Sequence, residues 1–147
     1  QTAKMPGLDG EKMSKSYNNY IALREAPDVV DEKIRTMQTD PARVRLSDPG
    51  EPDNCPVYAL HVVYTEEDVL NWAVEGCRSA GIGCVDCKKP LIEKINIEQA
   101  VYRQRAEQFE EEPDLVQAII QEGSEKARAV ARETLEDVKE AIGIGYR

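Results

Sequence analysis

Beyond Pro113 the apolar residues fall at intervals of three and four: Leu115, Val116, Ile119 and Ile120, then Ala127, Val130, Ala131, Leu135, Val138 and Ile142. That spacing puts them along one side of an α-helix. Gly123 is expected to divide the stretch into two helices, and Gly143 to end the second. No segment of the chain alternates with the period of two that a half-buried strand requires. The expected architecture is therefore mainly α, a helical bundle.

The same periodicity places shorter helices upstream. Pro27 suits a first turn, and Val29, Val30, Ile34 and Met37 share a side, so a helix is expected from Pro27 to about Met37. Residues 38–56 carry Pro41, Pro49, Pro52 and Pro56 with Gly50, and no regular structure is expected there. Residues 57–64 form a short apolar run compatible with strand or helix. Thr65 with Asp68 three residues on resembles a capping box that opens a helix to about Gly76 with Trp72 in the core. After Gly76, Gly81 and Gly83 a further helix is expected from near Lys89 to Glu112. His61 reads as a structural residue rather than a catalyst, since it is the one histidine in the chain.

Charge bounds the partners. The formal net charge is −9, which on its face argues against a polyanion, because Lys and Arg supply most affinity for nucleic acid. The excess is unevenly placed. Residues 107–147 hold eleven acidic against five basic residues, while residues 78–105 carry Arg78, Lys88, Lys89, Lys94, Arg103 and Arg105 against three acids, a modest basic patch. No apolar run approaches the roughly 20 residues of a membrane-spanning helix, so no membrane partner and a cytoplasmic location are expected.

The first twenty residues read as a loop hinged at Gly7 and Gly10. Within it stand Lys12-Met13-Ser14-Lys15-Ser16. Two ammonium groups three positions apart, with hydroxyls between them, suit a triphosphate: lysine is a compact charge on a flexible stem that can follow moving phosphates. No Gly-x-x-x-x-Gly-Lys-Ser/Thr phosphate loop occurs in the chain. The string is identical to the KMSKS signature of class I aminoacyl-tRNA synthetases. By that resemblance Lys12 and Lys15 contact ATP phosphates, and Met13, Ser14 and Ser16 shape the loop.

The likeness extends further. Asp48-Pro49-Gly50-Glu51-Pro52, Cys55-Pro56-Val57-Tyr58 and Gly76-Cys77-Arg78-Ser79-Ala80-Gly81-Ile82-Gly83-Cys84 resemble the C-terminal part of bacterial tryptophanyl-tRNA synthetases. The resemblance implies that residues 1–26 end a Rossmann-type catalytic domain and that residues 27–147 form a helical domain serving the anticodon of tRNA(Trp). It also implies ATP with Mg²⁺, a tryptophan pocket and HIGH-like motif upstream of this chain, and a homodimeric full-length protein. A fragment starting at the loop is then expected to be inactive alone. Arg78, Lys88 and Lys89 are the candidate tRNA contacts, for they flank the cysteines in the least acidic region. The alternatives are a tyrosyl-tRNA synthetase fragment, a freestanding RNA-binding module with a metal cluster, and a redox protein; a complete KMSKS string speaks against the last two.

Cys55, Cys77, Cys84 and Cys87 are spaced C-x21-C-x6-C-x2-C. In a cytosolic chain four thiols so placed form a metal site more often than disulfides, and ligand number alone leaves structural zinc and a [4Fe-4S] cluster open. A subset of the tryptophanyl family carries a [4Fe-4S] cluster on cysteines of closely similar spacing. That resemblance favours iron-sulfur, with zinc the alternative.

Overall fold

In a computed structural model, which describes residues 4–144, the chain is mainly α-helical, and no strand longer than an isolated bridge occurs among those residues. Five helices follow in order: α1 (Pro27–Thr36), α2 (Pro56–Tyr64), α3 (Glu67–Arg78), α4 (Cys84–Glu111) and α5 (Pro113–Ala141). Packing separates two units, residues 1–103 and 104–147. The loop segment shares the first unit with α1, α2, α3 and most of α4.

Prolines start three of these helices, because the ring presets φ at a position whose N–H needs no partner. In the first unit Val30 and Ile34 of α1 are fully buried one turn apart. They join Met37, Val57 and Leu60 of the next segments and Leu91, Ile92 and Ile95 of α4 in one apolar cluster. Met5, Leu8 and Ile21, from either side of the lysine-serine string, pack on that cluster, so the loop's flanks are anchored to the core. Polar ties add to this. Lys33 Nζ donates to the Tyr20 carbonyl at 3.0 Å and pairs with Glu25 at 2.7 Å, while Gln99 and Arg103 of α4 donate to the carbonyls of Ala22 and Glu25 at 3.0 and 2.9 Å.

Several boundaries differ from the sequence-based expectations. The run 57–64 is helix, and its His61 is fully buried as a structural residue. Thr65 does not cap α3: its hydroxyl back-bonds to the His61 carbonyl at 2.8 Å, and α3 begins after an extended Glu66. Trp72 is 42% exposed rather than core, because α3 buries only the neighbouring Ala73. The helix expected near Lys89 begins five residues earlier, at Cys84, and runs through Pro90 at the loss of one main-chain hydrogen bond.

Within the second unit, α5 is unbroken across Gly123. Glycine in a helix interior costs about 1 kcal/mol relative to alanine, which weakens but does not stop so long a helix. Gly143 does terminate it. At φ +71° its N–H bonds to the Glu140 carbonyl, and that of Ile144 to Lys139, the paired closure that only an achiral or left-handed residue permits cheaply. No described residue of α5 is buried, and Ile119, Ile120, Val130, Leu135 and Val138 of its apolar stripe are exposed.

Candidate functional site

The lysine-serine string sits on a tight reversal. Met13 N–H bonds to the Met5 carbonyl at 2.8 Å and Gly7 N–H to the Glu11 carbonyl at 2.6 Å, and Pro6 and Lys12 form an isolated bridge. Gly10 turns the chain at φ +83°. Extended Ser14 then leads into a single 3₁₀ turn, Lys15–Tyr17, closed by Asn18 in the left-handed region at φ 54°. Lys12 and Lys15 are both exposed, Met13 and Ser14 half-buried, and the hydroxyls of Ser14 and Ser16 bond each other at 2.8 Å. A cleft of about 400 Å³ opens beside Lys12 against Asn54, Cys55 and Pro56 at the start of α2. Chemically this is a pair of solvent-accessible cations on a braced turn, able to meet a polyanion.

Three separate segments deliver the four thiols: Cys55 immediately before α2, Cys77 in the last turn of α3, and Cys84 and Cys87 in the first turn of α4. All are half-buried and none is in a disulfide. Burial pushes the Cys87 thiol up to about 12, with Cys55, Cys77 and Cys84 adding to the effect, so the four lie within electrostatic reach of one another. Cys77 is raised too by burial, against the opposing pull of Arg43. The turn between α3 and α4 is compact: Gly81 and Ile82 both donate to the Gly76 carbonyl, and a Cβ on Gly76 would stand 2.7 Å from the Ile82 side chain. Gly50 is equally constrained, since its Cβ would lie 2.6 Å from Cys77 Sγ.

Two buried cations border the thiols. Arg43, 9% exposed, donates through Nη2 to the Ile82 carbonyl at 2.6 Å and places Nη1 4.0 Å from Cys77 Sγ; its buried Nε has no partner. Lys88, 3% exposed, donates to the carbonyls of Met37 and Arg35 at 2.6 and 2.8 Å. His61 Nε2 lies 3.0 Å from the Cys87 carbonyl. Among the described residues no three His, Cys, Asp or Glu side chains stand in a ready-made metal arrangement. The thiols are instead bordered by positive charge, Arg43 beside Cys77 and Lys88 within electrostatic reach of Cys55, Cys84 and Cys87.

The candidate tRNA contacts separate. Arg78 and Lys89 are exposed, paired with Glu51 at 3.0 Å and Asp86 at 2.6 Å. Lys88 is a correction: it faces inward and is spent on two backbone carbonyls, so it is a structural residue and not a surface contact. Sequence reasoning passed over Arg43, which lies in the proline-rich connection without any motif, and Asn19, whose only signal is its place shortly after Ser16. Asn19 is 4% exposed and bonded to both limbs of the loop.

The family model described as tRNA synthetases class I (W and Y) matches residues 1–98. The chain belongs to that family. It is 51% identical over 99% of its length to a tryptophan–tRNA ligase of Ralstonia nicotianae, and 45% identical over 97% to one of Thermotoga maritima. It covers 36% and 44% of those proteins, so it spans well under half the length of the curated relatives it matches. A crystal structure of tryptophanyl-tRNA synthetase from Campylobacter jejuni complexed with ADP and tryptophan superposes over 96% of this chain and 44% of its own, with a TM-score of 0.81 at 28% identity.

Proposed function

We propose that this chain is the loop-bearing C-terminal part of a bacterial-type tryptophan–tRNA ligase, which activates tryptophan with ATP and Mg²⁺ and transfers it to tRNA(Trp). The observation that carries the reading is the exposure of Lys12 and Lys15 on a loop braced against the core of a chain so similar to those ligases. In adenylate formation the substrate carboxylate attacks the α-phosphorus, the bond to the β-phosphate oxygen breaks, and pyrophosphate departs with the electron pair. Lys12 and Lys15 meet the charge that builds on the departing group, and so stabilise the transition state more than bound ATP. Met13, Ser14 and Ser16 shape the turn. Tryptophan selection and most ATP contacts fall to sequence outside this chain, and the assembled protein is read as a cytoplasmic homodimer.

Arg78 and Lys89 are proposed to face the anticodon region of the tRNA, joined by exposed Arg45, which lines a cleft with Cys84. Phosphate contacts of this kind are sequence-independent and salt-sensitive. Cys55, Cys77, Cys84 and Cys87 would hold a [4Fe-4S] cluster, or zinc in its place; such a group would cross-link the segments that carry Arg78 and Lys89.

Two experiments test the reading. The full-length ligase should catalyse tryptophan-dependent exchange of pyrophosphate into ATP with little response to tyrosine, whereas this chain alone should give none. Exchange driven by tyrosine instead, or by the isolated chain, contradicts it. Metal analysis after anaerobic purification should find iron and acid-labile sulfide, both lost when any one of the four cysteines becomes serine. Zinc without iron selects the alternative, and no metal at all rules out both.

A further inference from the structure

We infer that Asn19 is the positioning residue that holds the phosphate loop in its working shape, an inference that rests on the ligase reading above. Its side chain lies inside the turn, with both N–H donors and the carbonyl oxygen engaged. Nδ2 donates to Asp9 Oδ1 at 2.8 Å and to the Lys12 carbonyl at 3.2 Å, while Oδ1 accepts the Ser14 N–H at 2.7 Å. One amide thus grips the backbone on both sides of Met13, at Lys12 itself and at the residue preceding Lys15. Its own carbonyl accepts the Leu8 N–H at 2.9 Å, which ties the same point to the opposite limb.

The surroundings are shaped for it. Asn18, in the left-handed conformation, ends the 3₁₀ turn and sends the chain back beneath the loop. Gly7 leaves the space: a Cβ there would stand 2.4 Å from Asn19 Nδ2 and 2.5 Å from its Cγ. Asp9 is held in turn, because its Oδ1 also accepts the Glu11 N–H at 3.0 Å. Only a short side chain with two N–H donors and one acceptor satisfies these three partners. Aspartate has the same shape but no donor, and would set a carboxylate against that of Asp9. Asn19 touches neither phosphate nor reacting atoms. Its effect on the reaction passes through the placement of Lys12 and Lys15.

The test is pyrophosphate exchange by the full-length ligase carrying Asn19→Asp. Misplacing a catalytic group by about 1 Å can cost roughly 100-fold. A loss in kcat of about tenfold to 100-fold is expected, with KM for ATP and tryptophan changing less than about threefold, the signature of an interaction realised in the transition state. A role confined to stability would not produce that split. Asn19→Asp should cost less in a Lys12→Ala background than in the wild type, because only Lys15 is then left for the brace to place. Pairing Asp9→Asn with Asn19→Asp restores one donor–acceptor contact and should recover part of kcat. Where Asn19→Asp fails to fold, Asn19→Ser, smaller and uncharged, carries the same comparison. An unchanged kcat, a loss confined to KM, or losses that multiply in full with Lys12→Ala would overturn the inference. Absence of exchange by the wild-type ligase would instead sink the ligase reading, and this inference with it.

Discussion

Replacing Lys12 or Lys15 with alanine in the full-length ligase is expected to slow tryptophan activation by about 100- to 1,000-fold, the usual cost of removing one donor aimed at developing charge. The loss should fall on kcat rather than on KM for tryptophan. Both side chains are exposed and neither contributes to the apolar cluster, so the thermal midpoint should stay where it is. Anticodon-side tRNA affinity should be unaffected as well, since the proposed contacts Arg78 and Lys89 belong to other segments. Steady-state exchange kinetics and a melting curve on the same variants check all of this; equal losses in stability and rate would mean that the lysines are structural.

The largest effect on stability is expected at Leu91. It is fully buried within α4, in the cluster that joins Val30 and Ile34 of α1 to Val57 and Leu60 of α2. Leu91→Ala should cost about 2–5 kcal/mol, the transfer free energy of the lost methylenes plus the cavity they leave. Denaturant unfolding of the variant provides the measurement. Leu135→Ala on α5 is the control. Leu135 is 50% exposed, and its truncation should stay within about 0.5 kcal/mol in this chain. A Leu91 variant as stable as that control would mean that α4 does not carry the core.

Leu91 also bears on function. Met5, Leu8 and Ile21 pack on the same cluster, so the lysine loop takes its footing from α1, α2 and α4. Cys55 packs there too, and it lines the cleft that Lys12 borders. Cys55 and the loop therefore share a common support at the start of α2.

What was legible in the sequence depended on range. The helical periods of α1 and α5 could be read because residues three and four apart meet on one helix face whatever surrounds them. The lysine string could be read because its residue types and order state its chemistry without help from the fold. Errors gathered where a residue's part is assigned from far away. Lys88 looked like a surface cation until the end of α1 and Met37 just beyond it supplied a carbonyl each, and Trp72 looked like core until α3 buried another face. Thr65 resembled a cap, but its hydroxyl found the nearer His61 carbonyl. Gly123 read as a break because propensity is a weak local cost, which a helix of 29 residues absorbs.

The amino-acid sequence by itself determined that the chain is helical and that a KMSKS loop stands at its front, both being matters of local spacing and side-chain chemistry. Tertiary structure alone decided that Asn19 closes the loop from within, that Arg43 borders thiols brought from three segments, and that Lys88 is structural. Those roles rest on contacts between residues 34 to 53 positions apart, or on a chain reversal over Gly7, and neither leaves a periodic trace for a sequence reader to find.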